Sequence, residues 1–170
     1  MKNFKLLTFI LIILIKLTNY VNANDKLAII DIDFILEKSI EGQKIINELN
    51  IINEKNRSIL KEFENNIKTA QDDLKSQKNI LSEEELNIKV NKISDDIKKF
   101  NLEKNKLANN FNENKNKKLD EFFKKILPII ENYITENNIN VVIDKKNIFI
   151  ANKQNNITTN ILKKIDEELK

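Results

Sequence analysis

The chain's only glycine, Gly42, and its only proline, Pro128, lie far apart, so residues 43 to 127 contain neither of the residues that most readily end a helix. Apolar side chains recur every three or four positions through this stretch, which is the spacing of one face of an α-helix. Half of the chain is therefore predicted to form a long helical system of the coiled-coil type.

The apolar positions of this helical stretch form two seams that do not share one phase. The first contains Ile45, Leu49, Ile52, Ile59, Phe63, Ile67, Ala70 and Leu74, and the second contains Leu86, Val90, Ile93, Ile97, Phe100, Leu107 and Phe111. Continued beyond Leu74 at the heptad spacing, the first seam would select mostly polar residues, so one straight helix would lose its apolar stripe. Ser82 with Glu85 forms a capping box, which is typical of a new helix start. We therefore predict a reversal between residues 76 and 83 and a helical hairpin whose arms each extend ~60 Å.

Segments rich in β-branched residues flank the helical hairpin on both sides. Residues 27 to 32 predict one strand, and residues 141 to 143 and 148 to 150 predict a β-hairpin with a polar break between its strands. The apolar pattern continues on both sides of Pro128, which favours a kink in the helix over a stop. Three short strands and one terminal helix bury too little surface to be stable alone, so we expect the protein to oligomerise.

Short polar residues mark the predicted starts of the helices at both ends of the chain. Asp33 is predicted to cap a helical turn after the first strand, and Ser39 is predicted to cap the first long helix. Thr158 or Thr159 is predicted to cap a last amphipathic helix, whose apolar positions are Ile161, Leu162, Ile165 and Leu169.

The composition argues against catalysis. The chain has no cysteine and no histidine, which excludes thiol nucleophiles, zinc sites with thiolate or imidazole ligands, and imidazole general bases. Asp31 and Asp33 alternate along the first strand, but no third ligand accompanies them, so cap roles are favoured over a metal site. We predict a protein without catalytic residues, metal ions or cofactors.

The N-terminal residues have the pattern of a cleaved secretory signal peptide. Lys2 and Lys5 precede an apolar run that ends at Lys16, and residues 21 to 23 offer small side chains at both recognition positions of a signal peptidase. The alternative is an uncleaved anchor, but the run is shorter than the ~20 residues that a spanning helix needs. Because residues 1 to 23 contain three lysines and no acid, their removal leaves 26 basic and 26 acidic residues. The mature chain is then neutral, so its charge does not point to nucleic acid.

Three short segments outside the helical stretch carry a family resemblance. They are the opening run with Ala28, Ile29, Ile30, Asp31, Ile35, Leu36, Ser39, Gly42 and Lys44, the run from Val141 to Ile148, and the helix start with Ile157, Thr158, Ile161 and Leu162. Together with the export signal and the position of the helical insertion, they resemble the Skp/OmpH family of periplasmic chaperones of Gram-negative bacteria. The helical arms match that family only in pattern, so the end segments carry the specificity of the resemblance.

The resemblance implies an α+β fold. A long coiled-coil hairpin, residues 43 to 127, would be inserted into a small β-strand body made of residues 24 to 42 and 128 to 170. It also implies a homotrimer in which the strands form the shared body and the three hairpins project like tentacles. The residues predicted for the trimer body are Ile29, Ile30, Ile32, Val141, Val142, Ile143, Ile148, Phe149 and Ile150.

The function implied by the resemblance is that of an ATP-independent holdase in the periplasm. Such a chaperone binds unfolded outer-membrane proteins and prevents their aggregation without a cofactor or an enzymatic step. The lysines that would face a client, if they are not simply solvated, are Lys98, Lys99, Lys117 and Lys118. Lipopolysaccharide or an anionic membrane surface is a further partner left open. The alternative function is a non-catalytic structural coiled-coil protein of the cell envelope, which would leave the flanking strands unexplained.

Overall fold

The computed structural model describes residues 26 to 170, and the predicted signal peptide at residues 1 to 23 lies outside the described residues. The elements, in chain order, are β1 (Leu27–Ile30), α1 (Ile32–Lys38), α2 (Ile40–Gln77), α3 (Glu83–Glu136), β2 (Val141–Asp144) and α4 (Thr158–Glu168). Two 3-10 turns, Lys145–Asn147 and Lys153–Asn155, lie between β2 and α4. The fold is therefore mostly helical, with two long helices and one small pair of strands.

The predicted reversal and its capping box are confirmed. Between α2 and α3 the chain turns at residues 78 to 82. The Ser82 hydroxyl accepts a hydrogen bond from the backbone N–H of Glu85 at 3.3 Å, and the Glu85 carboxylate accepts the backbone N–H of Ser82 at 3.0 Å. That second bond stabilises the ionised form and lowers the pKa of Glu85. Two of the donors left free at the start of α3 are thus satisfied locally, which lets the helix begin without help from the body.

Helix α3 passes through Pro128 and ends four residues before β2. Its end is a Schellman motif, because the Ile139 N–H reaches the carbonyl of Ile134 at 3.0 Å and the Asn138 N–H reaches that of Thr135 at 3.2 Å. Asn138 occupies the left-handed region at φ 50°, a conformation that asparagine tolerates better than most residues. The motif turns the chain sharply, so that β2 returns alongside β1.

The two strands pair in parallel, with Leu27 opposite Val141 and Ile30 opposite Asp144. A parallel pair needs a crossover connection, and here the whole helical hairpin serves as that crossover. Both ends of the chain must therefore come together before the sheet can exist.

The predicted β-hairpin of residues 141 to 143 with 148 to 150 is wrong. After β2, the Asp144 side chain accepts the N–H of Lys146 and starts a 3-10 turn, and the chain then leaves the sheet. The tightest hairpin turns require residues with positive φ, and within residues 26 to 170 the one non-glycine residue with positive φ is Asn138. The second edge of β1 is instead met by a single parallel bridge between Ile29 and Asn156.

Three smaller predictions at the ends also need correction. The strand β1 stops at Ile30, and Ile32 lies in α1, because Asp31 and not Asp33 is the cap whose side chain accepts the Phe34 N–H. Neither threonine caps α4, since the Thr158 hydroxyl accepts the N–H of Asp31 at 2.9 Å and the Asn156 side chain accepts the N–H of Thr158 at 2.9 Å. The predicted cap of α2 by Ser39 is confirmed, with its hydroxyl accepting the Gly42 N–H at 3.1 Å.

The hydrophobic core joins both ends of the chain to the roots of the hairpin. It contains Ala28, Ile30, Ile35, Ile45, Phe122, Ile126, Ile129, Ile130, Ile157, Ile161 and Ile165. Leu49 on α2 and Phe122 on α3 are the outermost residues that pack in or against it. We therefore call residues 50 to 121 the arm, and the other described residues the body.

Gly42 is required where α1 and α2 meet. A Cβ atom at this position would lie 2.0 Å from the carbonyl oxygen of Leu36, which no side chain could occupy without moving the backbone. The fully buried Ser39 forms the corner between the two helices. The backbone of α2 can therefore approach α1 closely enough to seal this end of the body.

Candidate functional site

Two kinds of surface among the described residues are candidates for function. Among residues 26 to 170, no group of three or more acids is placed to hold a metal ion together. None of the helices in that range is both long enough and apolar enough to cross a membrane. The surfaces that stand out are the flanks of the arm and the exposed apolar side chains of the body.

The arm is an antiparallel helix pair closed by a thin seam. Phe63 of α2 packs against Phe100 of α3 with ring centroids 6.4 Å apart, and nearer the body Glu48 pairs with Lys118. Most seam residues are only partly buried, because each has just one opposing helix to cover it. Among residues 50 to 121, Ile93 is the one residue that is buried.

Two grooves open on the arm between α2 and α3. The tip groove has a volume of about 450 Å³ and is lined by Gln71, Leu74, Lys75, Lys78, Leu86, Val90 and Ile93. The middle groove has a volume of about 290 Å³ and is lined by Asn53, Asn56, Arg57, Leu60, Lys104, Leu107, Ala108, Phe111 and Asn112. Asn56 interrupts the apolar spacing of the first seam between Ile52 and Ile59 and lines the middle groove.

The body exposes large apolar side chains at two places, in the segment after β2 and at the start of the two strands. Phe149 is fully exposed, and Ile150 is 85 % exposed. Leu27 and Val141, which pair with each other at the start of the two strands, are also exposed. Scattered apolar side chains are normal at a surface, but an extended segment carrying two such large ones next to a sheet edge is typical of an interaction site.

The structure separates the residues predicted for the trimer body into three groups. Ile29 and Ile30 are buried in this chain, whereas Ile32, Val142, Ile143 and Ile148 are partly buried. Val141, Phe149 and Ile150 are exposed. Within the described chain, the last group has the most apolar surface left to offer to another molecule.

The lysines predicted to face a client do not form one cluster. Lys98 pairs with Asp95 and Lys99 pairs with Asp96, so an acid on the same helix partly neutralises each charge. Lys118 pairs with Glu48 across the seam, whereas Lys117 has no acidic partner among the described residues. None of the four lines either groove.

Asp31 ties four elements of the body together. Its carboxylate accepts a hydrogen bond from Lys145 at 2.7 Å and the N–H of Phe34 at 2.9 Å, and its own N–H donates to Thr158. The bond from Lys145 is the main reason that the pKa of Asp31 is lowered, followed by the Phe34 N–H. The end of β1, the start of α1, the turn after β2 and the start of α4 are thereby held in one arrangement.

A second charged contact braces the root of the hairpin. Glu41 in the first turn of α2 pairs with Lys125 on α3, which lowers the pKa of Glu41 and raises that of Lys125. Asp166 on α4 accepts the N–H of Ile40 at 2.8 Å and so satisfies a free donor at the start of α2. The arm therefore leaves the body in a defined direction.

The grooves were not predicted, and no pattern of residue types in the sequence marks them. The spacing of the seam positions does not say which flank of the seam stays open. In each helix the two grooves are related by 18 positions, which places Leu74 against Asn56 and Val90 against Ala108. Because the related positions do not share residue types, the relation is visible only once the lining residues are known.

Comparisons with known proteins agree with this architecture. The model of the family described as outer membrane protein (OmpH-like) matches residues 26–165. Among solved structures, the chain is similar to a candidate outer membrane chaperone (OmpH-like) from Caulobacter crescentus CB15, with a TM-score of 0.71 over 85 % of this chain and 86 % of that chain. The sequence identity is 14 %, so this likeness bears on the fold alone. No curated protein matches the chain.

Proposed function

Because the chain belongs to the OmpH-like family, we propose that it is an ATP-independent holdase chaperone, which binds unfolded outer-membrane proteins in the periplasm and keeps them from aggregating. The observation that carries the proposal is the arm, whose helices are held by a thin seam and leave apolar grooves open to solvent. A polypeptide segment could lie there without displacing any core residue. This is how a holdase can retain a client and later release it without a source of energy.

The chemistry of the client fits such a surface. A β-barrel precursor in water has unpaired strand edges and one apolar side that is meant to face lipid, so it aggregates readily. Many weak contacts distributed over an arm can retain such a chain without forcing one conformation on it, and several arms acting together would raise the avidity.

The proposal includes assembly into a homotrimer through the body. The exposed side chains of Phe149 and Ile150 support it, because a second copy would cover them and pair with the segment from 148 to 150. This segment belongs to no strand of the described chain, so its backbone is available for such pairing. Three arms would then project from one shared body.

The direct test is to mix the purified protein with an unfolded outer-membrane porin diluted from urea, and to follow light scattering. We expect scattering to fall to the baseline as the protein is added in increasing amounts, and sedimentation to give three times the chain mass. If the porin aggregates as it does alone, the chaperone proposal is wrong.

A pair of variants tests the assembly separately. Phe149→Asp should dissociate the trimer, because it places a charge where the exposed aromatic ring would be covered. Leu102→Asp alters an arm residue that is 70 % exposed, and it should leave the mass unchanged. A trimeric Phe149→Asp protein would contradict the proposed interface.

A further inference from the structure

The two grooves on the arm are copies of one geometry. Every lining residue of the tip groove has a counterpart 18 positions away in the middle groove. The counterpart has the lower residue number in α2 and the higher residue number in α3, because the two helices run in opposite directions. In α2 the pairs are Gln71 with Asn53, Leu74 with Asn56, Lys75 with Arg57 and Lys78 with Leu60, and in α3 they are Leu86 with Lys104, Val90 with Ala108 and Ile93 with Phe111. Eighteen residues make about five whole turns, so both grooves lie on the same face of the hairpin.

The grooves also share a charge character. Lys75 and Lys78 line the tip groove, Arg57 and Lys104 line the middle groove, and no acid lines either one. Arg57 has an acidic neighbour in Glu54, whereas the three lysines have no acidic partner among residues 26 to 170. Acids do lie nearby, since a neighbouring cavity on α2 that shares Arg57 and Leu60 with the middle groove also contains Glu54 and Glu64, but neither acid lines a groove.

The distance between the grooves matches an extended chain. Eighteen residues of α-helix rise ~27 Å, and an extended strand covers that distance in about eight residues. Eight is an even number, so side chains at positions i and i+8 of the strand point to the same side. A strand that spans a membrane has about 9 to 11 residues, which is enough to reach both grooves. The Phe63 and Phe100 pair fills the seam between the grooves, so the strand would cross over it.

We propose that the two grooves bind one extended segment of about ten residues from an unfolded protein chain. Two apolar side chains eight positions apart enter the tip and middle grooves, and acidic side chains beside them meet Lys75, Lys78, Arg57 and Lys104. The proposal rests on the holdase function and adds the selectivity of the arm, which is for amphipathic strands with acidic side chains. The four basic residues of the grooves favour this occupant over a second arm, because the basic residues of two arms would repel each other.

Synthetic peptides test the spacing directly. One fluorescent peptide of ten residues has leucines eight positions apart and glutamates beside them, a second has the same composition with leucines seven apart, and a third has lysines in place of the glutamates. In fluorescence anisotropy, we expect the first to bind the purified protein about tenfold more tightly than the second, because one leucine then faces away from its groove. The third should bind more weakly still, and salt should weaken the first.

Matched variants test the residues. Val90 lines the tip groove and is 45 % exposed, whereas Ile88 is 61 % exposed and lines neither groove. Val90→Asp should reduce binding of the first peptide about tenfold, and Ile88→Asp less than twofold. The double variant Arg57→Glu with Lys75→Glu should weaken peptide binding about tenfold. The control variant Lys55→Glu with Lys92→Glu carries the same change of charge at exposed residues that line neither groove, and it should weaken binding less than twofold.

The outcomes separate this inference from the holdase proposal. If the unaltered protein does not keep a porin soluble, both proposals fail. If it does, but groove and control variants bind the peptides equally, or if both leucine spacings bind equally, only this inference is overturned. A groove variant whose mass in solution falls would identify a second copy as the occupant, and one that loses binding to phosphatidylglycerol vesicles but not to the peptide would identify lipid. Either result also overturns the inference.

Discussion

Helix α3 runs through both the body and the arm, and its side chains are packed differently in each. In the body, Phe122 and Ile126 are completely buried, whereas in the arm Phe100 and Leu107 on the same helix are only partly buried. The body encloses α3 with β1, α1, α2 and α4, but the arm offers it one neighbour. Well-packed side chains define one structure, and a thin seam leaves room for other molecules. The body therefore provides stability, and under the proposed function it also provides assembly, whereas the arm provides adaptable binding.

The largest effect is expected from a matched pair of phenylalanine truncations. Phe122→Ala should reduce the free energy of unfolding by about 3 to 5 kcal/mol, because it removes a fully buried ring from the body. Phe63→Ala removes a partly buried ring from the arm seam and should cost less than half as much. Urea denaturation followed by circular dichroism measures both values. Equal losses would break the contrast between the two regions.

The close approach at Gly42 should come next in size. Gly42→Ala is expected to destabilise the protein by about 1 to 3 kcal/mol, because the added methyl group collides with the Leu36 carbonyl and forces the helices apart. The neighbouring exposed residue provides the control, and Gln43→Ala should stay within about 0.5 kcal/mol of the unaltered protein. A neutral Gly42→Ala would mean that the body is as adaptable as the arm.

The two serine caps permit a finer comparison. Ser39→Ala should cost about 1 to 2 kcal/mol, because the hydroxyl is fully buried and caps α2 inside the body. Ser82→Ala should cost about 0.5 to 1 kcal/mol, and its effect should be confined to faster amide exchange near the tip of the arm. Hydrogen exchange by mass spectrometry shows which part of the protein each substitution destabilises. If the Ser82→Ala protein lost amide protection throughout its body, the tip and the body would be coupled.

The smallest effect on stability is expected when the pH is lowered. The pKa values of Asp31 and Glu41 lie below their ordinary values of 3.8 and 4.5, so ionised carboxylates stabilise the body. That stabilisation is complete above the ordinary values and is lost as the pH falls through the lowered ones. The urea midpoint should therefore stay constant above about pH 5 and fall as the pH is lowered below 4.5. Lys145→Ala should make the decline shallower, because it removes the main cause of the Asp31 shift, whereas Lys153→Ala should not. Identical pH profiles for the two variants would contradict this role of Asp31.

Much of the arm could be predicted because its determinants are local. The seams, the reversal and the Ser82 capping box depend on residues within a few positions of one another, and each is confirmed. The errors lie where one end of the chain meets the other. Asp31 caps α1 in place of Asp33, and the Thr158 hydroxyl accepts a hydrogen bond from Asp31 and not from its own helix. The side chains of Asp31 and Thr158 both form hydrogen bonds with residues more than 100 positions away.

The candidate site shows the same division. The apolar character of residues 148 to 150 is plain in the sequence, but their exposure depends on what β1 and β2 leave unpaired. Six lining residues of the grooves are seam positions of the sequence, namely Leu74, Leu86, Val90, Ile93, Leu107 and Phe111. Which flank of the seam stays open depends on how the two helices face each other, and the seam spacing does not encode it.

By itself, the sequence determined that a long stretch free of glycine and proline must form helix, and where that helix must turn. The spacing of the apolar residues and the helix caps act over one or two helical turns, so distant parts of the chain have little influence on them. The tertiary structure alone decided that β1 and β2 pair in parallel, that Phe149 is left uncovered, and that two equivalent grooves face one way. These features depend on the packing of distant segments, whose relative positions no local pattern encodes.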